Sequence, residues 1–292
     1  MQHLRFRSRI PVPVEDLFAW HARDGAFERL VPPWQKVRII RRDGSIRDGD
    51  VLHMRIQAGP LFKDWVALHS DYVQDEQFRD TQVKGPFNTW VHTHRTHRDS
   101  QTTSILDDFI AYRLPAPALS QSLVGGIAHA ELRRMFRYRH LRTRLDVVRH
   151  FHYRKLPRVR VAILGEHPFA DQLGAFLTGG GHSLSADNAS EIQIDVGELR
   201  EPGNRLISLR TLATGETHYV AVPDVVIGPS FGATGLRARL TTRRATDSDW
   251  IAEDDLIGML YDAVLTPGSS KTPYYRAFSN RAAAASFLTG RL

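Results

Sequence analysis

The chain has 292 residues, 42% hydrophobic and 24% charged, which suits two globular domains of about 150 residues and excludes a disordered chain. With no cysteine, disulfides, thiolate catalysis, iron–sulfur clusters and cysteine-based zinc sites are excluded, so any metal would rest on histidine and carboxylate ligands. The net charge of +7 sits in the first half: residues 1–158 hold 27 Lys/Arg against 17 Asp/Glu, and residues 159–292 hold 12 against 15.

Period-two alternation dominates the first 115 residues and predicts strands. Leu4, Phe6 and Ser8 alternate with Arg5, Arg7 and Arg9 in an opening strand that Pro11 and Pro13 end. Pro13-Val14-Glu15-Asp16 then starts a short helix carrying Leu17, Phe18 and Trp20. Further strands are predicted at 36–42, 49–58, 63–74, 76–84, 89–97 and 102–113, separated by Asp43-Gly44, Asp48-Gly49, Gly59-Pro60 and Gly85-Pro86. Residues 119–149 switch to helical spacing, with Leu119, Leu123, Ile127, Leu132, Met135, Phe136, Leu141, Leu145 and Val148 near one stripe. On the same helix Arg133, Arg134, Arg137, Arg139, Arg142 and Arg144 cluster. They are expected to form a solvated face first and a phosphate or acidic-ligand contact second, and nucleic acid is not the expected partner.

A curved antiparallel sheet followed by one long helix predicts an α+β helix-grip domain, with a small-molecule cavity wherever sheet and helix part. Phe78-x-Asp80-x-Gln82-x-x-Gly85-Pro86-Phe87-x-x-Trp90-x-His92-x-His94, with Ile10-Pro11-Val12-Pro13 upstream and Met135-Phe136-x-Tyr138-Arg139-His140 downstream, resembles the START-like (SRPBCC) superfamily over roughly residues 1–150. The resemblance implies binding of hydrophobic small molecules, and in some members polyketide cyclase or dehydratase chemistry, without a universal catalytic set.

After Arg154-Lys155-Leu156-Pro157-Arg158 the pattern changes. Val159 to Gly165 reads as a buried strand, and Phe169, Leu173, Phe176 and Leu177 as the following helix, in the order of a first βα unit. Val225-Val226-Ile227-Gly228-Pro229, and Asp249 to Gly258 with the helix to Leu265, resemble late segments of an NAD-dependent sugar-epimerase-type extended dehydrogenase. The whole resembles a START-like domain fused to a shortened α/β Rossmann-like epimerase remnant. The predicted boundaries are 1–152, a linker at 153–158, and 159–292. The turn keeps Gly165 but has Pro168 and Asp171 where further glycines belong, and no Tyr-x-x-x-Lys pair is present; the middle of the dehydrogenase is expected to be deleted between about Val196 and Tyr219. No dinucleotide or other cofactor is therefore expected. The remnant is expected to act as a structural or homodimerising partner, because a truncated sheet exposes edges.

His92 and His94 share a strand face with Trp90. An odd loop between the two strands brings Asp80 to that face and an even one takes it away, which spacing alone leaves open. The cluster is expected first as a polar cavity lining or hydrogen-bond network, then as exposed strand residues, then as acid–base catalysts (His92, His94, Asp80). A metal would need Asp80 as third ligand, and none is expected. Gln82, Trp90, Phe87, Trp65 and Met54 are the expected ligand-binding residues, each set against ordinary core packing. Asp254-Asp255 is expected to start a helix rather than form a carboxylate pair.

No apolar run approaches the roughly 20 residues of a membrane span and the first residues lack the apolar core of a signal peptide, so a cytoplasmic protein is expected. The function expected is binding of a hydrophobic or aromatic small molecule, with non-redox cyclase or dehydratase acid–base chemistry. The alternative is an NAD(P)-dependent epimerase or oxidoreductase using the second domain.

Overall fold

The computed structural model describes residues 1–32, 34–58, 61–115, 121–165 and 168–223, with breaks at 186–188, 197–198, 202–203, 214 and 216, together with 257–258, 260–261, 265 and 277–278. The chain divides into two compact units, Met1–Phe151 and His152–Leu292.

The first unit runs β1 (Gln2–Ile10), α1 (Val14–His21), α2 (Ala26–Leu30), β2 (Val37–Asp43), β3 (Val51–Ala58), β4 (Leu61–Val73), β5 (Gln77–Lys84), β6 (Thr89–Arg98), β7 (Ser104–Arg113) and α3 (Gln121–His152). The alternating segments form one antiparallel sheet in the order β1-β7-β6-β5-β4-β3-β2. Register shifts at Ile39/Arg41, Val66/Ala67 and Ser70/Val73 break the ladder, and such extra residues bend and twist strands. One face of the sheet buries Leu4, Leu52, Met54, Ile56, Trp65, Ala67, Trp90, Ile110 and Tyr112 in a single core with Leu132 and Phe136 of α3. This is the helix-grip arrangement.

The helix departs from the expected apolar stripe. Ile127 is exposed, whereas Arg142, Thr143, Asp146 and His150 are buried. Leu119 lies outside the described residues. The second half of α3 thus buries a polar stripe, which α2 meets at Asp146 and α1 at His150. Arg29 of α2 donates through Nε to Asp146 Oδ2 at 2.7 Å and through Nη2 to Oδ1 at 2.8 Å, and Trp20 Nε1–H reaches His150 Nδ1 at 3.2 Å. The arginine cluster is likewise divided: Arg133, Arg137 and Arg144 are exposed, but Arg134 lies over the Trp34 ring at 3.7 Å, Arg139 donates to the Leu30 carbonyl, and Arg142 is buried over Tyr138.

The second unit contains β8 (Arg160–Leu164), α4 (Pro168–Gly179), β9 (Ser183–Leu184), β10 (Ile192–Asp195), β11 (Leu199–Glu201), β12 (Asn204–Thr211), β13 (Thr217–Pro223) and β14 (Ala277–Phe278). Its sheet runs β14-β13-β12-β10-β8-β9, with β8 parallel to both β9 and β10. At the point of the expected deletion the chain forms β11 and β12, and β12 pairs antiparallel with both β10 and β13; the described residues 257–258, 260–261 and 265 are helical. Phe169, Leu173, Phe176 and Leu177 of α4 pack with Val161, Ile194, Ile207 and Tyr261 in this unit's core. Val225–Pro229 and Asp249–Leu256, including Asp254-Asp255, lie outside the described residues.

The Arg29–Asp146 pair is 1% and 0% exposed. Removing one charge strands the other in the core, so Asp146→Leu alone is expected to cost about 3–5 kcal/mol. The double variant Arg29→Met/Asp146→Leu is expected to recover most of that loss in denaturant unfolding, and equal losses in both would contradict this.

Candidate functional site

Two rows of side chains cross the gripping face of the sheet. Directly paired residues on neighbouring strands share a face, so Leu4, Ile110, His92, Asp80 and His69 form one row. The next row is Phe6, Asp108, His94 and Phe78. The stretch between the paired Thr81 and Val91 is odd in length, and Asp80 therefore meets the histidines. The two rows form a checkerboard in which each histidine stands between two carboxylates.

His92 Nδ1 lies 3.0 Å from Asp80 Oδ2 and its Nε2 lies 3.5 Å from Asp108 Oδ1. His94 Nε2 lies 3.3 Å from Asp80 Oδ2 and its Nδ1 lies 3.0 Å from Asp108 Oδ1. Trp90 donates its indole N–H to Asp80 Oδ1 at 3.2 Å. From α3, His140 brings Nε2 to 3.2 Å from Asp108 Oδ2, and its Nδ1 meets Ser8 Oγ at 2.8 Å. Phe78 stacks on His94 with centroids 4.2 Å apart, and Phe136 meets His92 edge-on at 5.0 Å. A polar network thus crosses from β1 through α3, β7 and β6 to β5, inside apolar walls.

The electrostatics follow from this placement. Burial opposes charge on His92, yet the Asp80 and Asp108 carboxylates outweigh it and push its pKa up to about 9. Burial also opposes the charge of both aspartates, but His92 and His94 beside Asp80, and His94, His92 and His140 beside Asp108, hold them well below the usual carboxylate range. His21, packed near His94, is pushed down to about 4 by burial and then by its histidine neighbour.

Of the expected ligand contacts, Trp65, Phe87 and Trp90 form one aromatic cluster, with Trp65 and Trp90 centroids 5.2 Å apart and Phe87 and Trp90 4.9 Å apart. Trp65 Nε1 is buried with no acceptor among the described residues. Met54 is buried in the same core, paired across the ladder with Trp65. Gln82 serves the hairpin instead: its amide donates to the Phe87 carbonyl at 2.7 Å and its carbonyl oxygen accepts the Phe87 N–H at 3.3 Å. Asp108 and His140 are not among the candidate site residues read from the sequence. Both carried a signal, because Asp108 alternates in phase with Leu106 and Ile110, and His140 follows Phe136 by one helical turn.

In the second unit Gly165 takes φ +97°, the left-handed conformation that glycine allows, and Pro168 begins α4, where its missing N–H costs nothing. Asp171 stands exposed in the first turn of that helix, and Glu166 and His167 lie outside the described residues.

Residues 10–139 match the family model described as "Polyketide cyclase / dehydrase and lipid transport". The first unit is a START-like domain of that family. No curated protein matches the chain. Among solved structures, a nucleoside-diphosphate sugar epimerase from Corynebacterium glutamicum is 24% identical over 68% of this chain, with a TM-score of 0.48. This chain spans only 40% of that protein's length. The Zhui aromatase/cyclase from Streptomyces sp. R1128 is 12% identical over 51% of this chain and 95% of its own, with a TM-score of 0.41. A START superfamily protein from Mycobacterium smegmatis is 11% identical over 46% of this chain and 93% of its own, with a TM-score of 0.34. Among the described residues, no helix is long and apolar enough to cross a membrane.

His92 carries a proton in the folded protein at pH values where the unfolded chain has lost it. Its contribution to stability is complete below pH 6.5 and is lost as pH rises through about 9. Denaturant unfolding across this window in EDTA-containing buffer is expected to show stability falling with pH, and His92→Gln is expected to flatten that slope.

Proposed function

We propose that the START-like domain binds a hydrophobic or aromatic small molecule against the gripping face of its sheet and holds one polar group of that molecule at Asp80 and His94. The observation that carries this reading is the buried Asp80–His92–His94–Asp108 network inside apolar walls. Four ionisable groups are costly on a face that otherwise buries Leu, Ile and aromatic side chains, and such perturbed clusters concentrate at functional sites. Trp65, Phe87, Trp90 and Met54 supply the apolar wall, and the Trp65 indole N–H offers a donor to an oxygen of the ligand.

The finer chemistry proposed is acid–base catalysis of the cyclase or dehydratase kind. His92, held protonated by its two carboxylates, keeps a proton beside His94, whose side chain is 10% exposed, and Asp80, whose side chain is 18% exposed. A ligand carbonyl placed there meets an imidazole donor that steadies its enolate, and Asp80, held ionised, orients that imidazole. Gln82 acts at one remove, fixing the hairpin that presents Phe87. The second unit is proposed as a structural partner: Asp171 puts negative charge at the helix start where a dinucleotide pyrophosphate requires bare N–H groups.

Titration of the full-length protein with a phenolic probe such as 2-naphthol is expected to quench tryptophan fluorescence saturably. Trp65→Phe keeps a ring but loses the N–H, and is expected to weaken binding about fivefold, as one hydrogen bond should. Absence of a saturable change with phenolic and aliphatic carbonyl probes alike would overturn the ligand reading. With a turned-over substrate in hand, Asp80→Asn is expected to lower the rate by about a hundredfold.

A further inference from the structure

The four imidazole–carboxylate contacts pose a problem of proton counting. A neutral imidazole carries one N–H, so placing a proton in every contact makes cations of both His92 and His94. Their ring centroids are 3.8 Å apart, a separation at which two buried like charges oppose one another. A single dication on the Asp80 side removes the conflict. Each ring then stays neutral, turns a lone pair to the ion and keeps its N–H on the side of Asp108, and the two charges of the ion balance the two carboxylates.

The donors are placed for it. One ligand atom from each of Asp80, His92 and His94 lies within 4.8 Å of the other two. Two of the edges are 3.0 and 3.3 Å. Donors about 2.1 Å from a zinc-like ion stand about 3.0–3.4 Å apart in octahedral or tetrahedral geometry. The outer partners are also present. Asp108 faces the remaining nitrogen of both histidines at 3.0 and 3.5 Å, and Trp90 holds the second oxygen of Asp80. Carboxylates behind metal-binding histidines fix the ring orientation by accepting the outer N–H, and His92 Nε2, His94 Nδ1 and Asp108 Oδ1, which have no hydrogen-bond partner among the described residues, are the atoms such bonds would join. His140 Nε2 approaches Asp108 Oδ2 to 3.2 Å, and its other nitrogen meets Ser8. The exposure of Asp80 gives an ion a way in.

We infer that Asp80, His92 and His94 form a binding site for a zinc-like divalent transition-metal ion, with Asp108 as their shared outer partner. Two histidines and one carboxylate leave coordination positions open for water or for an oxygen of the ligand. The inference rests on donor geometry and charge balance; with the ion bound, His92 is a neutral ligand, and the protonated His92 described above belongs to the metal-free protein.

The test is titration of the chelator-stripped full-length protein with Co2+ and Zn2+. One equivalent of Co2+ is expected to develop visible d–d absorption that Zn2+ displaces. His94→Gln and Asp80→Asn are expected to weaken binding by about a hundredfold or more, and Asp108→Asn, which leaves all three ligands in place, by about ten- to a hundredfold. His97→Ala, exposed on the same strand, is expected to change nothing. Should the ligand variants fail to fold, zinc-edge X-ray absorption of the wild-type complex decides, with two imidazole shells expected. No stoichiometric cobalt spectrum, binding unchanged in folded His94→Gln and Asp80→Asn, or a first shell without two imidazoles would overturn the site.

Discussion

Two carboxylates on an otherwise apolar sheet face, Asp108 buried and Asp80 half-buried, are the constraint around which the first domain is arranged. Asp80 and Asp108 stand on β5 and β7 in the same rows as Ile110, Leu4 and Phe6. An ionised carboxylate there is tolerable only with cationic or hydrogen-bonding partners. The intervening strand β6 supplies His92 and His94 one residue apart, both on the facing side, and the checkerboard follows from strand register alone. The helix completes it, since His140 gives Asp108 a third imidazole while Phe136 of the same helix closes over His92.

The long helix thus does two kinds of work along one axis. Around Leu132 and Phe136 it packs into the apolar grip with the sheet. Around Asp146 and His150 it presents polar groups that α2 and α1 meet, so those two short helices are joined to it by a buried ion pair and an indole–imidazole bond. Such polar seams fix which helical turn meets which neighbour more narrowly than apolar packing does. The site lies where the apolar and polar halves of the helix meet, next to Tyr138, Arg139 and His140.

Much of this was legible in the amino-acid order. Strands with clean alternation and Gly or Pro turns were found within two residues of their observed ends, because period-two burial and turn chemistry agree there. The pair His92 and His94 and the candidacy of Asp80 were visible too, but their meeting depends on hairpin parity, which spacing does not determine. Asp108 and His140 each sit in an apolar phase of their element, which marks burial but not which partner each meets across the fold. The partnership of Arg29 with Asp146 spans 117 positions and leaves no local trace. In the second unit, β8 and α4 were legible as a βα pair, whereas the antiparallel β12 and β13 depend on long-range pairing that no short window records.

The central claim is that a buried charge on β7 holds the long helix to the sheet. The most direct measurement is a double-mutant cycle with Asp108→Asn and His140→Gln, followed by denaturant unfolding at neutral pH. The account predicts a coupling energy of about 1 kcal/mol or more between the two positions, as expected for partners in one buried network. Additive losses would contradict it and leave the helix held by apolar packing alone.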